Sequence, residues 1–179
     1  MGQALVLVFH PNLNDGSRIN RRLAEVARST DGVEVRDEYA LYPDGRIDVG
    51  AEQRACEHSR AIVWQCPMYW YSTPPLLKQW EDEVLAHGWA YGSSGHALEG
   101  KSLMLAISAG ATQPDYEEDG RFATTFHELL SPQRTTARRV GMAWMNPFVI
   151  TGAMGMTDEQ LDDRAEEYAR ILHELPHIA

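Results

Sequence analysis

The chain has no CxxC pair, no Cys/His cluster and no HExxH, and its seven histidines are scattered over 179 residues. A metal centre therefore has no support in the sequence. The two cysteines, Cys56 and Cys66, read as free thiols in a reducing compartment, not as a disulfide framework. Positive charge is also scarce: 16 Lys and Arg stand against 26 Asp and Glu, for a formal net charge of −10. A phosphate backbone needs a basic surface, so a nucleic-acid partner is not expected. No apolar run reaches the length that crosses a bilayer. Neither a GxGxxG nor a GxxxxGK[ST] is present, so a Rossmann fingerprint and a P-loop are both missing. Before Ala4-Leu-Val-Leu-Val-Phe9 there is no basic region and no small-residue cleavage site. That run reads as a first strand, in a cytoplasmic protein.

What is present suits an ordinary globule, with 44% hydrophobic and 23% charged residues. The length fits one domain over residues 1–179. The chain is organised around Gln65 to Trp80, QCPMYWYSTPPLLKQW. The apolar run Ala61-Ile62-Val63-Trp64 leads into it, and three consecutive aromatics, Tyr69, Trp70 and Tyr71, follow. Pro74 and Pro75 then open a helical pattern carried by Leu76, Leu77, Trp80, Val84 and Leu85. This is the βα joint of an α/β protein, where ligands sit at the carboxyl ends of parallel strands. Two readings of the aromatics stand side by side: a wall for a flat ring system, or a cap on the sheet that fills an oligomer interface.

The remaining pattern alternates in the same way. Gln3 to Phe9 reads as a strand buried on both faces. The turn-rich His10 to Ser17 follows, and Ser17 is an N-cap for a helix bearing Ile19, Leu23, Val26 and Ala27. A helix N-terminus there favours an anion, with Ser17 and Asn20 as donors and Arg18 as a charge. Val33 to Tyr39 reads as a second strand, Val49 to Arg60 as a helix, and Ala61 to Cys66 as the third strand. Gly88 to Gly95 reads as a flexible segment holding Trp89 and Tyr91, assigned equally to a pocket wall or to dimer packing. Lys101 to Ser108 is the fourth strand, and Ser108-Ala109-Gly110-Ala111 is a small-residue loop through which backbone N–H groups reach a ligand. Gln113 to Phe122 reads as a mobile flap carrying Tyr116. Helical patterns at Phe126–Leu130 and Thr135–Met142 are separated by Ser131-Pro132. Trp144 to Thr151 is the fifth strand, and Thr157 caps a last helix running to Leu175. This β-α alternation implies a five-stranded parallel sheet with helices on both faces. Ligand-like loops after strands one, three and four point to the flavodoxin-like order 2-1-3-4-5.

Three stretches carry a family resemblance: HPxL…SxIN after the first strand, WQxPMYWYSTPPLLKQW after the third, and HGWAYG. Together they resemble the flavodoxin-like NAD(P)H:quinone oxidoreductases. Within that family the similarity is greatest to the ancillary oxidoreductase subunits of the Kef glutathione-gated potassium-efflux system and to their general-stress relatives. DT-diaphorase is a more distant likeness. The resemblance implies bound FMN rather than FAD, a homodimer, NAD(P)H as co-substrate and two-electron reduction of a quinone. It places His10 and Ser17-Arg18-Ile19-Asn20 on the phosphate side, and Met68-Tyr69-Trp70-Tyr71 along the flavin. Ser108-Ala109-Gly110-Ala111 falls at the ring's polar edge, where it departs from the family's frequent Thr-Thr-Gly-Gly. Tyr116 and His127 are the candidate proton donors, with solvent as the alternative source. Two other roles stand beside the enzyme: a regulatory subunit on a potassium-efflux antiporter, bringing the chain to the inner membrane through that partner, and a flavodoxin-type electron carrier.

Overall fold

The structure, a computed structural model, describes residues 4–177. Gln3, expected to open the first strand, lies outside the described residues. Strand β1 (Ala4–Val8) runs in the middle of a parallel sheet, flanked by β2 (Val33–Asp37) and β3 (Ala61–Pro67). Strand β4 (Ser102–Ser108) pairs with β3, which gives the expected order 2-1-3-4-5. Side chains alternate across this sheet as a strand's twofold period demands. Leu5, Leu7, Ile62, Trp64, Leu103 and Leu105 enter one core, while Ala4, Val6, Val63, Met104 and Ala106 enter the other.

Helices cover both faces. On one side lie α4 (Val49–Glu57), α5 (Pro75–Val84) and α7 (Ser131–Arg139), contributing Cys56, Leu77, Trp80 and Ala137 to the first core. On the other, α2 (Arg18–Arg28) and α8 (Asp158–Glu174) bury Ile19, Leu23, Leu161 and Tyr168. Two thoroughly buried indoles, Trp64 and Trp80, meet edge to face at 5.8 Å and fill the space beneath α5.

Several boundaries differ from expectation for local reasons. The single fifth strand is two short ones, β5 (Ala143–Trp144) on Ser102–Leu103 and β6 (Phe148–Ile150) on Ala106–Ser108. Pro147 lacks an N–H and restricts Asn146 before it, which breaks the ladder between them. The second strand stops at Asp37, whose carboxylate caps a one-turn helix, α3 (Glu38–Leu41), by accepting from Ala40 N–H at 3.2 Å. Tyr39 therefore leaves the sheet. Ser131 and Pro132 do not separate two helices. They form the first turn of α7, where proline's missing N–H is harmless, directly after α6 (Phe126–Leu129). The loop after β1 holds a further one-turn helix, α1 (Leu13–Gly16).

Candidate functional site

Three loops meet at the carboxyl ends of β1, β3 and β4, and a chain of buried polar groups ties them together. Ser17 Oγ caps α2 by accepting from Asn20 N–H at 3.1 Å. Asn20 is almost fully buried, and its Nδ2 donates to Ser108 Oγ at 2.9 Å. Its carbonyl accepts from Gln65 Nε2 at 2.9 Å, and Gln65 Oε1 accepts from the buried Tyr168 hydroxyl at 3.2 Å. Met68 N–H donates to the Ser108 carbonyl at 2.8 Å, closing the link between the β3 and β4 loops. One atom of the set is left over: Asn20 Oδ1 is buried and has no protein partner. Such an atom costs about 1–3 kcal/mol unless something else satisfies it.

The aromatic loop is a tight turn. Tyr69 and Ser72 exchange backbone hydrogen bonds of 2.9 and 3.0 Å, and between them Trp70 and Tyr71 have φ of +48° and +62°. Two successive left-handed residues make a type I′ turn, which ordinarily takes Asn-Gly. Here two of the bulkiest side chains occupy it, and Trp70 is 91% exposed. Strain of this kind is retained where surrounding structure over-determines it, typically at a site. Tyr71 lies edge-on to Phe122 at 5.3 Å.

On the β4 side, Ala109 is buried, with its N–H on the Ile150 carbonyl at 2.8 Å, and Ala111 carbonyl accepts from Gly152 N–H at 2.7 Å. Gly110 faces open space; a Cβ added there would touch nothing within 4 Å. Among the described residues, the N–H groups of Arg18, Ile19, Gly110 and Ala111 have no protein acceptor. Helix start and loop, tied together by Asn20 on Ser108, therefore both leave backbone donors free.

His10 is buried at the end of β1, and its Nδ1 accepts from Asn12 N–H at 3.1 Å. Burial lowers its pKa, only partly opposed by the nearby Asp37 carboxylate. The neutral ring therefore carries its proton on Nε2, as a donor. Arg18 turns away: its guanidinium holds Met156 carbonyl at 2.7 Å and Asp158 Oδ1 at the start of α8. Its backbone N–H stays free at the start of α2, but its charge is taken up. Ile19 is a core residue and likewise offers only its N–H.

Tyr116 and His127 part company. Residues 113–122 are not an open flap. A 3-10 turn, Gln113–Tyr116, is fixed by Asp115 Oδ2, which accepts from Thr112 N–H at 2.8 Å and Thr112 Oγ1 at 2.7 Å. Tyr116 is 5% exposed, with its ring 5.1 Å from Phe122 and 4.3 Å from Phe126. Burial raises its pKa, and Tyr71 beside it adds to the shift, so the phenol stays protonated. His127 is exposed on α6 and lines a separate cavity with Arg134 and Trp144. The Gly88–Gly95 segment is a tied loop at the opposite end of the sheet. Trp89 Nε1 donates to Glu57 Oε1 at 2.7 Å, next to where β3 and β4 begin, so neither Trp89 nor Tyr91 lies beside this chain's own loops at the carboxyl ends of the strands.

Sequence reasoning missed Gln65, Phe122 and the Ile150–Gly152 backbone. A signal existed for Gln65: an amide inside an otherwise apolar buried strand must find partners, and it finds them on Asn20 and Tyr168. Nothing local marks Gly152, which acts through its N–H alone.

A family model described as a flavodoxin-like fold matches residues 3–172. The chain belongs to that family. It is 42% identical over 170 residues to general stress protein 14 of Bacillus subtilis, covering 95% of this chain and 97% of that one. It is 45% identical over 168 residues to KefF of Citrobacter koseri, the ancillary protein of a glutathione-regulated potassium-efflux system, at 94% of each chain. Among solved structures, general stress protein 14 of Treponema denticola in complex with FMN superposes with a TM-score of 0.91 at 38% identity, covering 97% and 99%. An NADPH-quinone reductase from P. pentosaceus gives 0.87 at 25% identity, covering 95% and 97%. A chain described as a thermophilic tryptophan halogenase from Streptomycin violaceusniger gives 0.90 at 44%, covering 93% and 96%. The variety of those descriptions at similar likeness leaves the chemistry to be argued from the site.

Proposed function

We propose that the chain is an FMN-dependent NAD(P)H:quinone oxidoreductase. The observation that carries this reading is the strained, exposed Trp70–Tyr71 turn after β3, beside two loops, after β1 and β4, that leave backbone donors free. An exposed indole held in the left-handed region has no packing reason to be there, and a flat aromatic ligand supplies one. These loops fit FMN on their own terms. The first turn of α2, with Ser17 as its cap, suits a phosphate. The open side of Gly110 admits a ring edge.

Bound FMN would take a hydride from NAD(P)H and return two electrons to a quinone. The chain's own residues bind and orient. His10 Nε2–H and the N–H groups of Arg18 and Ile19 face the anion. Met68 to Tyr71 form one wall. The N–H groups of Gly110 and Ala111 point at the polar edge of the ring, where negative charge accumulates on reduction. Tyr116, packed between Phe122 and Phe126, backs the opening and keeps water from it. Its protonated phenol is the proton donor this reading assigns.

We further read the chain as a cytoplasmic homodimer. No helix among the described residues is long and apolar enough to cross a membrane. A second reading, an ancillary subunit on a potassium-efflux antiporter, is favoured by the likeness to KefF and is compatible with the same site.

The test is a visible spectrum of the purified protein, followed anaerobically by NADPH and then a simple quinone. Bleaching by the nucleotide and recolouring by the quinone, with no semiquinone band, is the expected result. A protein that takes up no FMN overturns the proposal. A stable semiquinone would make it an electron carrier instead.

A further inference from the structure

The cavity beside His127 combines flat apolar walls with basic side chains. It measures about 270 Å³, with Phe126, Trp144 and Pro147 as flat apolar walls and His127, Arg134 and Asn146 as its polar groups. No carboxylate lines it, in a chain whose formal net charge is −10. Helix α7, which supplies Arg134, carries Arg138 and Arg139 as well and no acidic residue. Most arginines of the first half of the chain have carboxylate partners, among them Arg18, Arg22 and Arg36. Arg134 has none among the described residues. Its Nη1 rests 2.6 and 2.8 Å from the two ring nitrogens of His127. A half-buried guanidinium whose one side-chain partner among the described residues is an imidazole retains most of its donors for an incoming anion.

The cavity is also connected to the proposed flavin site. Tyr71 packs on Phe122, Phe122 on Tyr116, and Tyr116 on Phe126, with no ring-to-ring step longer than 5.3 Å. Phe126 is thus the last ring of a continuous aromatic wall that starts at the strained turn and ends in the cavity.

We infer that this cavity holds the adenosine end of the nicotinamide co-substrate, with Arg134 receiving its 2′-phosphate, and that the chain selects NADPH over NADH. This rests on the NAD(P)H reading of the neighbouring site. Flat walls suit a purine. The fork of Arg134 suits a phosphate monoester bidentately, and NADH carries none there. His127 is a positioning residue in this arrangement, holding the guanidinium at the mouth, and not the proton donor.

The experiment uses the FMN-loaded protein and its Arg134→Ala and Arg134→Lys variants, each checked for flavin content and melting temperature. Steady-state kcat/KM is measured for NADPH and for NADH with one water-soluble quinone. Calorimetry then measures the binding of adenosine 2′,5′-bisphosphate and of adenosine 5′-monophosphate. In the wild type the bisphosphate should bind more tightly than the monophosphate, and Arg134→Ala should abolish the difference. The same change should lower kcat/KM for NADPH by about tenfold to a hundredfold more than for NADH, the size of a lost charge-assisted hydrogen bond. Arg134→Lys should recover part of that loss, because it keeps the charge without the fork. An NADPH-to-NADH ratio equal in all three proteins, or bisphosphate binding indifferent to Arg134, overturns the inference. If neither nucleotide reduces the wild-type flavin, the redox reading fails separately. Calorimetry still decides the cavity: Arg134-dependent binding of the bisphosphate sustains an adenosine-phosphate site, and its absence removes it.

Discussion

Replacing Trp70 by Asn should make the FMN-free protein more stable and its flavin site weaker. Trp70 has φ +48° and Tyr71 +62°, the two central positions of a type I′ turn. A non-glycine residue in the left-handed region costs about 1–2 kcal/mol, and Asn tolerates that region far better than Trp. Almost nothing is lost in exchange, because Trp70 is 91% exposed and buries little area. The net gain should be about 1 kcal/mol. Tyr71→Gly relieves a similar strain but also removes the edge-on contact with Phe122 at 5.3 Å, worth about 1 kcal/mol, so its stability should change little. Urea denaturation of the FMN-free proteins, with m held constant as a check, measures both. Flavin affinity is read from quenching of FMN fluorescence. Loss of a stacked ring worth about 1 kcal/mol weakens binding about fivefold. A Trp70→Asn protein that is no more stable than the wild type would refute the claim that the turn stores strain. One that gains stability and binds FMN as tightly would refute the claim that the strain serves the flavin.

Ser17→Ala removes the acceptor for Asn20 N–H and should cost about 1 kcal/mol of stability, seen as a lower urea midpoint, together with weaker FMN binding. Burial pushes the Cys66 thiol up to about 12 and raises Cys56 as well, and both are fully buried. Neither should react with a thiol reagent at pH 8 until denaturant is added, when two thiols should appear. Glu38 is fully buried, and burial, with Glu52 next to it, pushes its pKa from 4.5 to about 8. The folded protein thus holds a proton there that the unfolded chain releases above pH 4.5, so stability falls as pH rises towards 8. The slope approaches about 1.4 kcal/mol per pH unit. Urea midpoints at pH 6 and pH 8 should show that fall in the wild type and much less of it in Glu38→Gln; equal slopes would refute the assignment.

The sheet order was legible because continuous apolar runs and the βα joints are local signals. Leu5, Ile62 and Leu103 mark strands wherever they fall in the fold. The start of α2 was legible for the same reason, since a cap such as Ser17 declares itself within three residues. What was not legible depends on partners far along the chain. Arg18 looked like an anion ligand until Asp158, 140 residues later, proved to hold it. Tyr116 looked like part of a flap because its polar neighbours hid the pairing with Phe122 and Phe126. Trp89 and Tyr91 were drawn towards the site by their aromatic character, yet the sheet's length separates them from it. The second strand ended early because Asp37 caps a helix, a side-chain choice that strand periodicity does not register.

The polar thread from Tyr168 through Gln65 and Asn20 to Ser108 crosses the core where apolar side chains would pack with less risk. A buried network is costly unless each member is satisfied, and this one leaves Asn20 Oδ1 without a protein partner. Stability alone therefore does not account for it. Each bond in the thread joins two different elements: α8 to β3, β3 to α2, and α2 to β4. Apolar contacts would hold those elements together but tolerate sliding by fractions of an ångström, because dispersion is non-directional and shallow. Hydrogen bonds of 2.9 Å on directional donors tolerate less. The thread thus fixes the start of α2 against the Ser108 loop, and Met68 N–H on the Ser108 carbonyl carries the same register into the aromatic turn. A site assembled from three separate loops needs that kind of connection more than it needs the last increment of stability.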